Sequence, residues 1–342
     1  MDRKNNLIIS NLKESPEYRN ETLKLIEKSL GYSNGNSFMI DFYPLMKEAN
    51  AENNFILIKD NKVSAHIGIS YRYLTLKGIK SPVALLGGIC SSKEIRGKGI
   101  FSDFLKTLIS QNEEKVAYFI LWSNLSDFYE RFNFFEAGKS IQTKPPGPLS
   151  SEILKSYQKI KYADLTPHQW TEIKDLYNHK NEVIKFDRSD EDWETLSKIE
   201  SSELYIKEAQ SKIVSYFIKD KGQDLENLIH EYGIDPSEEK NLLPLLKRQS
   251  IWLEDRGADD LGQVIFSAFF RVGSRRLLDD FLSKVTDRKL RLISSCPQVT
   301  FTYKNETFEC DTKTFLQVIH GPFEMKSKVP YLPVYFCGLD SV

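Results

Sequence analysis

Apolar and polar positions alternate strictly from Val63 to Tyr73, with Val63, Ala65, Ile67, Ile69, Tyr71 and Tyr73 on one face and His66 on the other. That period predicts a half-buried antiparallel strand carrying an exposed histidine. Before it, Glu21 to Leu30 reads as a helix, and Phe55-Ile56-Leu57-Ile58 reads as a strand turning at Lys59-Asp60-Asn61-Lys62. After a turn at Gly78 comes the apolar strand Val83 to Cys90, with Gly87 and Gly88 inside it. Interior glycines weaken a strand, so they mark a bulge or the close approach of a ligand. Ile100, Phe101, Phe104, Leu105, Leu108 and Ile109 recur at helical spacing, and a strand from Val116 to Trp122 leads into a short helix from Leu125 to Phe132. This order predicts a mixed α/β fold, a mainly antiparallel sheet flanked by helices.

Lys144-Pro145-Pro146-Gly147-Pro148-Leu149-Ser150 forbids helix and central strand. It divides the chain into a first domain at 1–144, a Pro-rich linker at 145–150 and a second domain at 151–342. The second domain echoes the first. Tyr205 to Tyr216 has the hairpin pattern of Ile56 to Ala65, and Gly233-Ile234 precedes a polar turn and the apolar stretch Leu242 to Leu246, as Gly88-Ile89 precedes its own loop and helix. The echo predicts an internal duplication, hence tandem domains. The segment from Gly321 to Val342 stays apolar and is expected to dock rather than fray.

At 342 residues with 40% hydrophobic residues, the chain can build about two cores. The formal net charge is −1 with both signs interspersed, so there is no electrostatic footprint for nucleic acid or an anionic membrane. No apolar run approaches ~18 residues and the start has no signal-peptide core, which predicts a soluble, cytoplasmic protein. The cysteines Cys90, Cys296, Cys310 and Cys337 form no Cys-x-x-Cys pair, and the five histidines have no metal-ligand spacing. We expect no metal site and read the cysteines as small buried hydrophobes.

The chemistry is carried by Arg96-Gly97-Lys98-Gly99-Ile100, between a strand and an amphipathic helix. Successive backbone N–H groups in a glycine-permitted turn, aimed along a helix start, make a cradle for a diphosphate. Spacing separates the families that use such loops. A Walker loop needs Ser or Thr after its lysine, but Lys98 is followed by Gly99; a dinucleotide fingerprint needs a third glycine where Ser102 stands. The segment resembles the GCN5-related N-acetyltransferase (GNAT) superfamily, whose signature at this junction is Arg/Gln-x-x-Gly-x-Gly/Ala. Arg96 and Gly99 fill the first two signature positions, and Phe101 stands at the third. Trp122 to Phe134 is similar to the family's Asn…Phe-Tyr-x-x-x-Gly-Phe segment, with Asn133 in place of the glycine as a residue that tolerates left-handed backbone.

The resemblance covers about residues 20 to 140. It implies that the glycine-bearing strand splays from its neighbour, with acetyl-CoA held by the backbone of Ile89, Cys90 and Ser91 and by the loop residues Arg96, Gly97, Lys98, Gly99, Ile100 and Phe101. Asn124 would hold cofactor or cap the following helix. By family position Tyr129 would protonate the leaving thiolate, and His66 is the candidate base, directly or through water. The expected activity is acetyl transfer from acetyl-CoA to a primary amine, with a small molecule as the expected acceptor; the alternative is a non-catalytic acyl-CoA sensor or interaction module. In the second half Asp235-Pro236-Ser237-Glu238-Glu239 stands where a phosphate cradle would be, so no second coenzyme A is expected there. By loose analogy with the enhanced-intracellular-survival acetyltransferases, the docked tail would bring Asp340 or the terminal carboxylate of Val342 toward the acceptor, and the second half would act as a lid or select the acceptor.

Overall fold

Alternation around His66 yields a long hairpin because each face of it finds a core. The computed structural model describes residues 7–33, 35–255, 262–295, 298–323 and 328–342. Met1 to Asn6 and Cys296 lie outside the described residues. The first half runs β1 (Leu7–Asn11), α1 (Arg19–Leu30), the single-turn helices α2 (Phe38–Asp41) and α3 (Tyr43–Met46), β2 (Asn54–Lys59), β3 (Lys62–Leu76), β4 (Ile79–Ser91), α4 (Ile100–Asn112), β5 (Tyr118–Leu121), α5 (Ser126–Glu130) and β6 (Phe135–Gln142). Then come α6 (Ser151–Ser156), β7 (Gln158–Ile160), α7 (Pro167–Asn178), β8 (Lys185–Asp187), α8 (Asp190–Leu196), β9 (Glu203–Ala209), β10 (Lys212–Lys219), β11 (Ile229–Ile234), α9 (Glu239–Lys247) and β12 (Trp252–Glu254). The last part holds β13 (Gln263–Val272), α10 (Arg275–Val285), β14 (Leu290–Ser295), β15 (Gln298–Tyr303), β16 (Glu306–Asp311) and α11 (Thr312–His320).

The fold is mixed α/β, with mainly antiparallel sheets flanked by helices. The large sheet has the order β1-β2-β3-β4-β5-β13-β6-β12, with β8 added to β3. A four-stranded sheet, β11-β10-β9-β7, repeats in β9, β10, β11 and α9 the order of β2, β3, β4 and α4. Strands from both sides of the Pro-rich segment therefore build one sheet. β13 lies between β5 and β6, pairing Phe270 with Ile120 and Ala268 with Ala137.

One face of β3 and β4 packs on α4 through Ile67, Ile69, Leu86, Phe104, Leu105 and Leu108, all buried. Each such side chain contributes roughly 1.5–3 kcal/mol by leaving water. The opposite face is covered as well, by α1, α2 and α3 near β2 and by the later parts of the chain near Leu74 and Leu85. β3 is thus buried on both faces from Val63 to Ser70, not half-buried as its alternation suggests. No helix among the described residues is long and apolar enough to cross a membrane.

Candidate acyl-transfer site

β4 is tied to β5 only at Val83, Ala84 and Leu85, which pair in parallel with Tyr118, Phe119 and Ile120. Beyond Leu85 the strands part, leaving the β5-facing edge of Leu86 to Ser91 without a ladder partner in that register. At the same place the β3–β4 register slips between His66 and Gly68, so that two β4 residues oppose one on β3. Gly88 has φ +58 there, a left-handed conformation that favours glycine. A Cβ on Gly87 would lie 2.3 Å from the carbonyl carbon of Val342. The glycine pair therefore forms a bulge, and the close neighbour of Gly87 is the chain's own tail.

After β4 the backbone turns through Ser92 to Gly99 into α4. Gly97 and Gly99 have φ +73 and +77, and a Cβ on either would meet nothing within 4 Å. The loop thus combines left-handed glycines with open space at the start of a 13-residue helix whose first N–H groups lack intrahelical partners. Arg96 folds back, donating Nε and Nη2 to the Ser91 carbonyl at 3.1 and 2.8 Å, which braces the loop on the end of β4. Lys98 is exposed at the rim, while Ile100 and Phe101 are half-buried against the α4 core. A diphosphate fits this cradle: the charge, the free donors and the space coincide.

Tyr129, on α5, is buried, its ring against Phe128, Phe134 and Phe269. Burial pushes its phenol up to about 12, partly offset by a hydrogen bond with Ser123 and reinforced by nearby Cys90. Ser123 follows the end of β5 and Cys90 lies near the end of β4, so the hydroxyl has a partner beyond one strand and a charge neighbour on the other. Asn133 adopts φ 60, as expected for a residue in the glycine position. Asn124 is exposed; the N-cap of α5 is Leu125, with no side-chain cap, so Asn124 does not serve as that cap. Ile89 and Ser91 are half-buried and Cys90 is buried, its thiol raised to about 12 by burial.

His66 corrects an expectation: it is completely buried, not exposed. Nδ1 lies 2.8 Å from the Gly88 carbonyl and Nε2 3.0 Å from Asn54 Oδ1. Burial lowers it to about 4, against the opposing pull of the Gly88 carbonyl. The alternation placed it correctly opposite the apolar face, but α2 covers that face: Phe38 lies within reach of Gly88 beside the imidazole.

Sequence reasoning missed the charges that hold the tail. Arg188 is fully buried and bidentate to Glu231 at 2.8 and 2.7 Å; it also donates to Asp340 through Nε at 3.1 Å and Nη2 at 2.6 Å. Arg72 adds Nη2 to Asp340 at 3.1 Å. Burial alone would raise the Asp340 carboxyl, but Arg188 and Arg72 outweigh it and hold it below the usual range. Asp340 is locked by these cations, and the guanidinium of Arg188 stands where Glu231 and Asp340 converge. In the second half Asp235 accepts from Ser237 N at 3.0 Å, Ser237 Oγ at 2.7 Å and Lys212 Nζ at 2.9 Å, and these bonds lower its carboxyl to about 2. A carboxylate thus occupies the loop before α9, where the first half has its glycine cradle.

A strand parted from its parallel neighbour, a bulge at the parting and a glycine-lined turn at the next helix meet at one end of β4. Residues 13–137 match the family model described as an acetyltransferase (GNAT) domain. That stretch, little more than a third of the chain, is similar to the GCN5-related N-acetyltransferase superfamily. Solved structures share the fold across both halves. A conserved protein of unknown function from Enterococcus faecalis V583, described as a probable N-acyltransferase, is similar at 13% identity with a TM-score of 0.61, over 92% of this chain and 89% of that one. A GCN5-related N-acetyltransferase from Anabaena variabilis has 13% identity and a TM-score of 0.58, over 92% and 89% of the two chains. Eis1 from Mycobacterium abscessus has 12% identity and a TM-score of 0.55, over 91% and 89%. No curated protein matches the chain by sequence.

Proposed function

We propose that the protein is an acetyl-CoA-dependent N-acyltransferase that transfers acetyl directly to the primary amine of a small molecule. The observation that carries this reading is the coincidence, at one end of β4, of the parted strands, the open Gly97 and Gly99 positions and the buried Tyr129 phenol. Acetyl-CoA supplies the activated thioester. The N–H groups of Gly97, Gly99, Ile100 and Phe101 bind the diphosphate, with Arg96 and Lys98 adding charge at the rim; the Lys98 N–H itself is turned to the Ile95 carbonyl. The free edge of Ile89, Cys90 and Ser91 holds the pantetheine arm, and a backbone N–H near Ile89 polarises the thioester carbonyl. Asn124, exposed past the end of β5, belongs to the same cofactor wall. Tyr129 keeps its proton at neutral pH and can donate it from Oη to the departing sulfur, while the proton shed by the attacking amine passes through water and restores the phenol.

His66 supports the Gly88 bulge through its Nδ1 contact, so its part in the reaction is to position β4. The tail from Gly338 to Val342, resting on Gly87, forms the acceptor-side wall, which gives the later part of the chain its role in acceptor choice. The acidic loop at Asp235 argues against a second cofactor. Thiol release from acetyl-CoA, followed colorimetrically across ethanolamine, putrescine, lysine, glucosamine and a peptide with a free amino terminus, tests the reading. Amine-dependent release with a small molecule is expected. One observation favours a non-catalytic acyl-CoA-binding module instead: both nitrogens of the candidate base His66 are engaged. Acetyl-CoA binding without thiol release for any amine would favour that module.

A further inference from the structure

The tail threads between the two halves. Ile184 donates its N–H to the Pro333 carbonyl at 2.7 Å, and Tyr335 returns one to the Ile184 carbonyl at 2.8 Å. A turn follows, with Asp340 N on Cys337 O and Ser341 N on Gly338 O, both at 3.1 Å. Lys221, from the β10–β11 connection, is 1% exposed, and its ammonium meets this turn. Nζ donates to Ser341 O at 2.6 Å, Gly338 O at 3.0 Å, Ser341 Oγ at 3.0 Å and Leu339 O at 3.4 Å. All of these bonds go to the tail. Lys221 is itself fixed from behind: the Phe42 ring lies 4.5 Å from Nζ, and a Cβ on Gly222 would come within 1.8 Å of Asp41 Oδ2. Gly338 is equally constrained, since a Cβ there would meet Leu225 at 2.3 Å and His230 at 2.7 Å. The next residue after this turn and Ser341 is Val342, which rests on Gly87 at the bulge.

We propose that Lys221 is a positioning residue of this site: by gathering the carbonyls of Gly338, Leu339 and Ser341 it sets Val342 against Gly87 and fixes the acceptor-side wall. The inference rests on the acyl-transfer reading above. A buried ammonium is costly unless its donors are used, and here they are used on one short segment. Asp340 is already matched by Arg188 and Arg72, so the tail's carbonyls rather than its carboxylate are what Lys221 holds. Burial lowers Lys221 to about 7; Asp340, Asp224 and Asp41 pull it up and Arg188 pushes it down, while His230 faces it from β11. Its charge therefore changes near neutrality, and the grip on the carbonyls weakens as pH rises through that value.

The test uses the full chain with Lys221→Met and Lys221→Arg, followed by hydrogen exchange of the segment 333–342, calorimetry with acetyl-CoA and thiol release. In Lys221→Met the tail amides should exchange about tenfold faster or more, with protection elsewhere unchanged. Acetyl-CoA affinity should stay within about twofold while kcat falls about tenfold, and Lys221→Arg should restore both tail protection and kcat. Unaltered tail exchange in Lys221→Met would overturn the proposal, as would a loosened tail with unchanged kcat. The wild type offers a second measurement that does not require Lys221→Met to fold. Corrected for intrinsic exchange, its tail protection should drop between about pH 6 and 8, while Lys221→Arg stays flat; equal profiles would contradict the clamp. Failure of the acyl-transfer reading is recognised separately, as absence of acetyl-CoA binding by the wild type.

Discussion

Gly99 has φ +77 and an empty surrounding. Valine there costs roughly 1–3 kcal/mol of backbone strain and projects into the cradle. Gly99→Val should therefore abolish acetyl-CoA binding while leaving a cooperative thermal transition, read by calorimetry and circular dichroism. Tyr129→Phe keeps the ring packing and removes only the proton donor. It should lower kcat by about 10²-fold or more with acetyl-CoA affinity nearly unchanged; an equal loss of affinity would make Tyr129 structural. Two other buried side chains set the acid limit. His320 Nδ1 donates to Leu332 O at 3.0 Å and Nε2 meets Tyr118 Oη at 3.0 Å, while His230 Nε2 donates to Asp220 O at 2.9 Å and its Nδ1 is buried without a hydrogen bond. Burial lowers both to about 4, so the unfolded chain binds the extra protons first. Their contribution is complete above pH 6.5 and is lost as pH falls toward 4, on the order of 3 kcal/mol per histidine. Denaturant titrations at pH 7 and 4.5 should show that fall, and His320→Gln should reduce it.

The β3–β4 hairpin, α4 and the strand–helix pair β5–α5 were legible in the sequence because each declares itself locally: alternation for β3, helical spacing for α4, and glycines where the register slips. What covers the second face of β3 was not legible, since α2 and α3 are single turns with no periodicity to read. His66 was therefore expected at the surface and is found in the interior. Gly87 shows the same limit. An interior glycine announces a close approach, but not that the approaching group is Val342, 255 positions later. Gly87 has no left-handed φ, so alanine is tolerated by the backbone, and its nearest conflict is with the tail. Gly87→Ala should displace the tail, lower turnover and leave acetyl-CoA affinity close to the wild type.

Across the whole molecule, the strand β13 and the tail make the halves interdependent. The apolar character of residues 333–342 announced that they dock; the partners Arg188, Glu231 and Lys221 could not be read, because isolated charges in sequence carry no sign of whom they meet. Removing Arg188 leaves Glu231 and Asp340 buried without their shared cation, so Arg188→Met should cost about 3–5 kcal/mol in denaturant unfolding. Residues 1–144 alone lose the strand between β5 and β6, and that fragment should show no cooperative melt. Whether the loop between β4 and α4 binds the cofactor for acyl transfer is decided by titrating acetyl-CoA into the wild type and Gly99→Val in one calorimetric experiment. The wild type should bind acetyl-CoA saturably at one site and the folded variant should not bind it. No binding to the wild type, or the same affinity in both, would contradict it.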